Sequence, residues 1–159
     1  MSLPEPSPAN GFLAEYVQCL ALSYQRVSGF ALADPTLDPK ALACFLYHAP
    51  FALVSHDAGE DPVFNYANLT AQRLFEMDFK TFTRLPSRLS AAPSAQTERE
   101  LVLKAVKTKG YCADYCGVRI SRSGKRFRIE QAEIWNVYDR TGAFCGQAAR
   151  IMRWRFLDA

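Results

Sequence analysis

The chain has 159 residues, 49% apolar and 22% charged, which suits one ordinary globular domain and excludes a disordered chain. No apolar run approaches the ~20 residues that cross a bilayer, and Met1–Asn10 lacks the basic and apolar segments of a secretory signal, so the sequence reads as cytoplasmic. The net charge of +3 is uneven: residues 1–97 hold 6 Lys and Arg against 9 Asp and Glu, whereas residues 98–159 hold 13 against 7.

Residues 1–9 contain three prolines and read as a flexible leader. Phe12, Leu13, Tyr16, Val17, Leu20 and Tyr24 then recur at spacings of three and four, which predicts an amphipathic helix capped by Asn10 and ended by Gly29. A proline- and aspartate-rich loop leads to a second helix opening at Asp38-Pro39, so residues 10–48 form an N-terminal helical extension. From residue 49 the pattern changes. Phe51–Ser55 and Val63–Tyr66 read as short strands, and Ala67–Glu76 as a helix. A variable stretch over Asp78–Pro93 precedes a helix over Ser94–Lys109, capped by Ser94 or Thr97, with Leu101, Val102, Ala105 and Val106 as its stripe and Gly110 as its stop. Tyr111–Ser121, Arg126–Tyr138 and Phe144–Phe156 are strands joined by short turns and pair as an antiparallel meander. Two short strands are not stable alone, so they join the meander: an α+β fold with a five-stranded antiparallel sheet and helices on one face, spanning 49–159.

That element order resembles a PAS domain, with Val63-Phe64-Asn65-Tyr66-Ala67-Asn68 similar to the PAS strand that ends at a helix-opening Asn. More closely, the chain resembles the MEKHLA family, a PAS-related group of free-standing bacterial type that also forms the C-terminal domain of certain plant transcription factors. The likeness rests on several stretches together. Among them are His48-Ala49-Pro50-Phe51, Ser55-His56-Asp57, Leu85-Pro86-Ser87-Arg88-Leu89-Ser90-Ala91, Arg119-Ile120-Ser121, Ile134-Trp135-Asn136 and Gly146-Gln147-Ala148-Ala149. It implies sensing or regulatory interaction and names no ligand; the sequence has no phosphate loop, dinucleotide fingerprint or metalloprotease helix, so no catalysis is expected.

Candidate ligand-binding residues are Tyr66, Asn68, Arg88, Gln131, Glu133, Trp135 and Gln147. Three of them also have a plainer reading. Asn68 caps a helix, Arg88 pairs with a carboxylate, and Trp135 is core. Strict alternation puts Gln131, Glu133 and Trp135 on one face of their strand, and those polar groups contact a ligand only if the helices cover that face. Haem is argued against by the absence of His, Met, Cys or Tyr in the Ser94–Lys109 helix. Covalent flavin chemistry is argued against by Ser87, which stands where the resemblance would place the reactive thiol. The five cysteines read as buried reduced thiols and supply no metal site. Ser55-His56-Asp57 cannot be a triad, because neighbours on a strand point to opposite faces.

Three functions follow, in order. The first is a sensory module with a small-molecule ligand. The second is an interaction module with a filled core, dimerising or docking a partner through residues 10–29 and the sheet face. The third is nucleic-acid binding through the basic half, whose interspersed arginines otherwise read as a solvated face.

Overall fold

A computed structural model describes residues 3–157. The strands are β1 (Ala52–His56), β2 (Phe64–Ala67), β3 (Tyr111–Ile120), β4 (Arg126–Tyr138) and β5 (Phe144–Phe156), in one antiparallel sheet of order β2-β1-β5-β4-β3. The two short strands do join the meander: β1 pairs with β5 from Ala52↔Ile151 to His56↔Gln147, and β2 pairs with β1. Gly146 makes that junction possible. It has φ +146, and a Cβ there would run into the backbone carbonyl of His56.

The helices are α1 (Ala14–Ser28), α2 (Pro39–Tyr47), α3 (Leu69–Phe75), α4 (Phe79–Phe82) and α5 (Gln96–Lys109), with single 3-10 turns at Pro8–Leu13, Ser87–Ser90 and Pro93–Ala95. Asp38, Asn68 and Asp78 cap α2, α3 and α4 by accepting from the backbone N–H of Ala41, Ala71 and Thr81, each cap contributing about 1 kcal/mol. Gly29 and Gly110 end α1 and α5 in the left-handed conformation, as their sequence positions predict.

Several boundaries differ from expectation. α1 opens at Ala14 because Gly11, Phe12 and Leu13 all have positive φ. This turn brings the Phe12 ring against Tyr47 and His48, and Asn10 spends its side chain on Ser7 and Glu5 instead of capping. The expected free leader over 1–9 begins outside the described residues, but from Leu3 onward it lies on the domain, with Pro6 buried and Leu3 against the core. Ser94 and Thr97 do not cap α5. The variable stretch contains α4, whose Phe79 and Phe82 are buried.

Both faces of the sheet are covered. On one, α1 and α2 pack Val17, Leu20, Tyr24, Leu46 and Tyr47 against Leu53, Trp135 and Val137. The stripe of α1 is therefore spent on its own sheet, and the sheet face around Trp135 is not open for docking. On the other face, α3, α4 and α5 pack over Val54, Phe127, Ile129, Ala132, Ile134 and Ile151. Phe127 and Ile129 share that core with Ala132 and Ile134, so the alternation shifts by one residue at Gln131, where φ is +52. A local bulge of this kind is invisible to strict period-two counting.

Candidate functional site: a cavity between helix α5 and the sheet

β1 sorts its residues by face. Leu53 and Ser55 point to α1, where Ser55 Oγ lies 2.7 Å from Tyr16 Oη. Val54 and His56 point the other way, under α5. The Ser55-His56-Asp57 run is thereby split across the sheet. His56 Nδ1 lies 2.9 Å from the Asp57 carbonyl. In the neutral ring Nδ1–H donates to this carbonyl, which leaves Nε2 as a bare acceptor. Nε2 is buried and has no hydrogen-bond partner. Burial holds the imidazole below its ordinary pKa.

β3 contributes Tyr115 and Arg119 to the same face. Gly117 between them makes room, because a Cβ there would collide with the Tyr115 phenol and crowd Arg119. The Arg119 guanidinium sits 5.5 Å from the Tyr115 ring centroid and donates to Tyr115 Oη at 3.2 Å; that hydroxyl donates to Glu98 at 3.2 Å. α5 contributes Arg99, which donates to Ser87 Oγ. The buried side of α5 keeps Val102 and Val106 of the predicted stripe but not Leu101 or Ala105. Leu101 is 64% exposed, and the residues turned inward are Arg99, Val102, Leu103 and Val106.

These side chains enclose a cavity of about 50 Å3. Val54, Phe64, Phe75, Ile129, Ala132 and Ile151 form apolar walls, and His56, Ser90, Arg99, Tyr115 and Arg119 supply its polar groups. Arg99, Arg119 and His56 are only 6%, 7% and 8% exposed. Burial, and next the like charge of Arg119, pulls the Arg99 pKa down to about 10. Among the described residues neither guanidinium forms an ion pair. Two polar side chains tie the cover to the sheet: Gln147 donates to the Leu103 carbonyl at 3.0 Å and Asn136 to the Lys107 carbonyl at 3.1 Å.

The profile of the MEKHLA domain matches residues 14–156. The chain belongs to the MEKHLA domain family. A search of curated proteins returns no match. Among solved structures, the MEKHLA fold is similar to the PAS domain of a protein from Colwellia psychrerythraea (16% identity, 72% of this chain and 92% of that one, TM-score 0.58). It is similar to an RNA-binding light-oxygen-voltage receptor (19% identity, 80% of this chain but 35% of that one, TM-score 0.61). It is also similar to a light-oxygen-voltage domain studied with a flavin analogue (16% identity, 74% and 84%, TM-score 0.57). The MEKHLA domain thus has a PAS-like fold, and at these identities the neighbours establish the fold alone.

Of the seven candidate residues of this MEKHLA domain, only Gln147 lines the cavity. Asn68 is fully buried and fully employed, capping α3, accepting from Leu53 N–H and donating to Leu46 and Phe51 carbonyls. Arg88 is at the surface, paired with Asp61 at 3.1 Å. Gln131 is exposed at the bulge. Glu133 and Trp135 lie on the opposite face, beneath α1. Trp135 Nε1 donates to the Leu20 carbonyl at 3.1 Å, and Glu133 accepts from Tyr24, Tyr111 and Arg150. Burial pushes Glu133 upward, yet those donors outweigh it and hold its carboxyl below the usual range. Tyr66 is buried between Tyr16 and Phe79 with its hydroxyl unpartnered, and burial raises its pKa.

Sequence reasoning missed His56, Arg99 and Arg119. For Arg99 a signal existed, since it stands three and seven residues before Val102 and Val106, on the apolar stripe. Ser87, compared above with a flavin thiol, is buried with its Oγ bound by Arg99. The cysteines are less buried than expected: Cys116 is exposed and the other four half-buried, all as free thiols. Among the described residues no metal-binding cluster occurs, and no helix is long and apolar enough to cross a membrane.

Proposed function

We propose that this MEKHLA domain is a non-enzymatic sensory module that admits a small molecule between α5 and the sheet and passes the signal on by protein contact. The observation that carries this reading is an internal cavity whose cover is lightly anchored. α5 buries only Arg99 and Val106, so it belongs to the low-stability end of the fold, from which moving elements are drawn. The free thiols accord with a cytoplasmic setting. Contact with a second copy or a partner would use the outward side of residues 10–29 and their neighbours, where Leu22, Phe30 and Phe45 are exposed. Nucleic acid stays third, because two of the strand arginines are paired with acids, in the Arg155–Glu130 and Arg150–Glu133 pairs.

A second reading has its own support. The cavity of about 50 Å3 is far below the ~300–1,000 Å3 of ordinary ligand pockets, which favours a filled core working by contact alone. One experiment separates the two. On the ligand reading, native mass spectrometry of gently purified protein detects a retained small molecule. Ala149→Leu, which fills the cavity from β5, releases it, and bound ligand slows amide exchange in α5. A protein that retains nothing, and whose α5 exchange no compound alters, refutes the ligand reading and leaves the contact module.

A further inference from the structure

We infer that the cavity's cognate ligand is an anion of one class: a small organic carboxylate with an apolar body. This inference rests on the small-molecule reading above and adds the chemistry of the ligand. Two guanidiniums line one small cavity, and neither has a carboxylate within ion-pairing distance among the described residues. Arg99 uses one of its donors, on the neutral Ser87 hydroxyl. Arg119 uses two, on its neighbour's carbonyl and on the Tyr115 hydroxyl. Each guanidinium offers five N–H donors in a planar fork, so most of this donor capacity is unspent. The Glu98 carboxylate reaches Arg119 through the Tyr115 hydroxyl, and Asp61 and Glu100 act on Arg99 from beyond ion-pairing distance.

Buried charge without a partner is costly, and arginine is the residue suited to bidentate carboxylate recognition. An anion placed between Arg99 and Arg119 removes the repulsion between two like charges that the fold has brought together. His56 adds a third polar group. Its buried Nε2 has nothing to bond; it accepts from a protonated acid when neutral and donates to an ionised one when charged. The rest of the wall is apolar, with Val54, Phe64, Phe75, Ile129 and Ile151. That combination selects an amphipathic acid over a bare inorganic anion, which would leave the apolar wall uncovered. With about 50 Å3 available, the ligand is short unless α5 lifts.

The test is a thermal-shift and calorimetric series on the full chain at constant ionic strength. The probes are sodium acetate, propanoate, butanoate, hexanoate and benzoate, each beside its primary amide, with sodium chloride and sodium phosphate as inorganic anions. The expected result is a rise in Tm and measurable binding for one or more carboxylates and none for the matching amide. Binding should weaken at least tenfold in Arg99→Met and in Arg119→Met. The surface variant Arg88→Met should bind like the parent. Circular dichroism confirms that each variant is folded, and Arg99→Lys, which keeps the charge without the fork, should retain part of the affinity if Arg99→Met misfolds. Amides that bind as well as acids overturn the carboxylate assignment while the small-molecule reading stands. Chloride or phosphate acting as strongly as the acids overturns the organic class. Silence of every probe, joined to unchanged α5 exchange, overturns both.

Discussion

The two faces of the sheet bury charge in opposite ways. Under α1, the Glu133 carboxylate meets Arg150, Tyr24 and Tyr111, and Arg150 stacks over the rings of Tyr24 and Phe51, so the charges cancel and the donors are used. Under α5, two positive groups and a bare imidazole nitrogen share a cavity with no negative group between them. Neutralised charge is structural cement; charge left without a counter-ion marks a place where the fold alone is not the most favourable state. The contrast separates the N-terminal extension, which is fixed in place, from the α5 side, where binding is proposed.

The largest effect that would test this contrast comes from removing charge on each face in turn. Glu133→Ala leaves Arg150 half-buried beside the aromatic rings without its carboxylate, and should cost about 2–3 kcal/mol of unfolding free energy in urea. Arg119→Met, on the cavity face, removes a charge that has no ion pair and should be neutral or stabilising by up to about 1 kcal/mol. Equal losses from both variants would erase the distinction.

A pH titration of stability gives a smaller, directional effect. His56 is held below its ordinary pKa in the folded protein, so the unfolded chain binds a proton that the folded chain does not. Stability is complete above the unfolded value of about 6.5 and declines as pH falls from there towards the lower folded value. His56→Gln should flatten that decline. A curve unchanged by the substitution would mean that His56 titrates as in solvent. The smallest effect is expected at Arg88. Its pair with Asp61 is exposed on both sides, and Arg88→Ala should lower the unfolding free energy measured in urea by no more than about 0.5 kcal/mol. A larger loss would bring Arg88 back as part of the site.

How much was legible beforehand can be judged from single residues. The three long strands, the helix opening at Asp38-Pro39, the cap at Asn68, and the stops at Gly29 and Gly110 follow from local chemistry, and all stand in the structure. Arg88 pairs with a carboxylate and Trp135 is core, as their plainer readings require. The face of Gln131 was not legible, because a residue at positive φ resets the alternation and strict periodicity cannot register it. Nor was the full buried side of α5, whose exposed Leu101 and buried Arg99 invert the usual preference.

By itself, the sequence determined the order of the strands and longer helices, the joining of two short strands to a meander and membership of a PAS-like family. Hydrophobic period, capping and turn chemistry act over a few neighbouring residues and are written locally. Only the tertiary structure decided that α1 covers the Trp135 face, that Glu133 is neutralised there, and that Arg99, Arg119 and His56 converge under α5 from three separate elements. Convergence of that kind depends on sheet order and on the twist at one bulge, and such long-range geometry leaves no pattern in residue spacing.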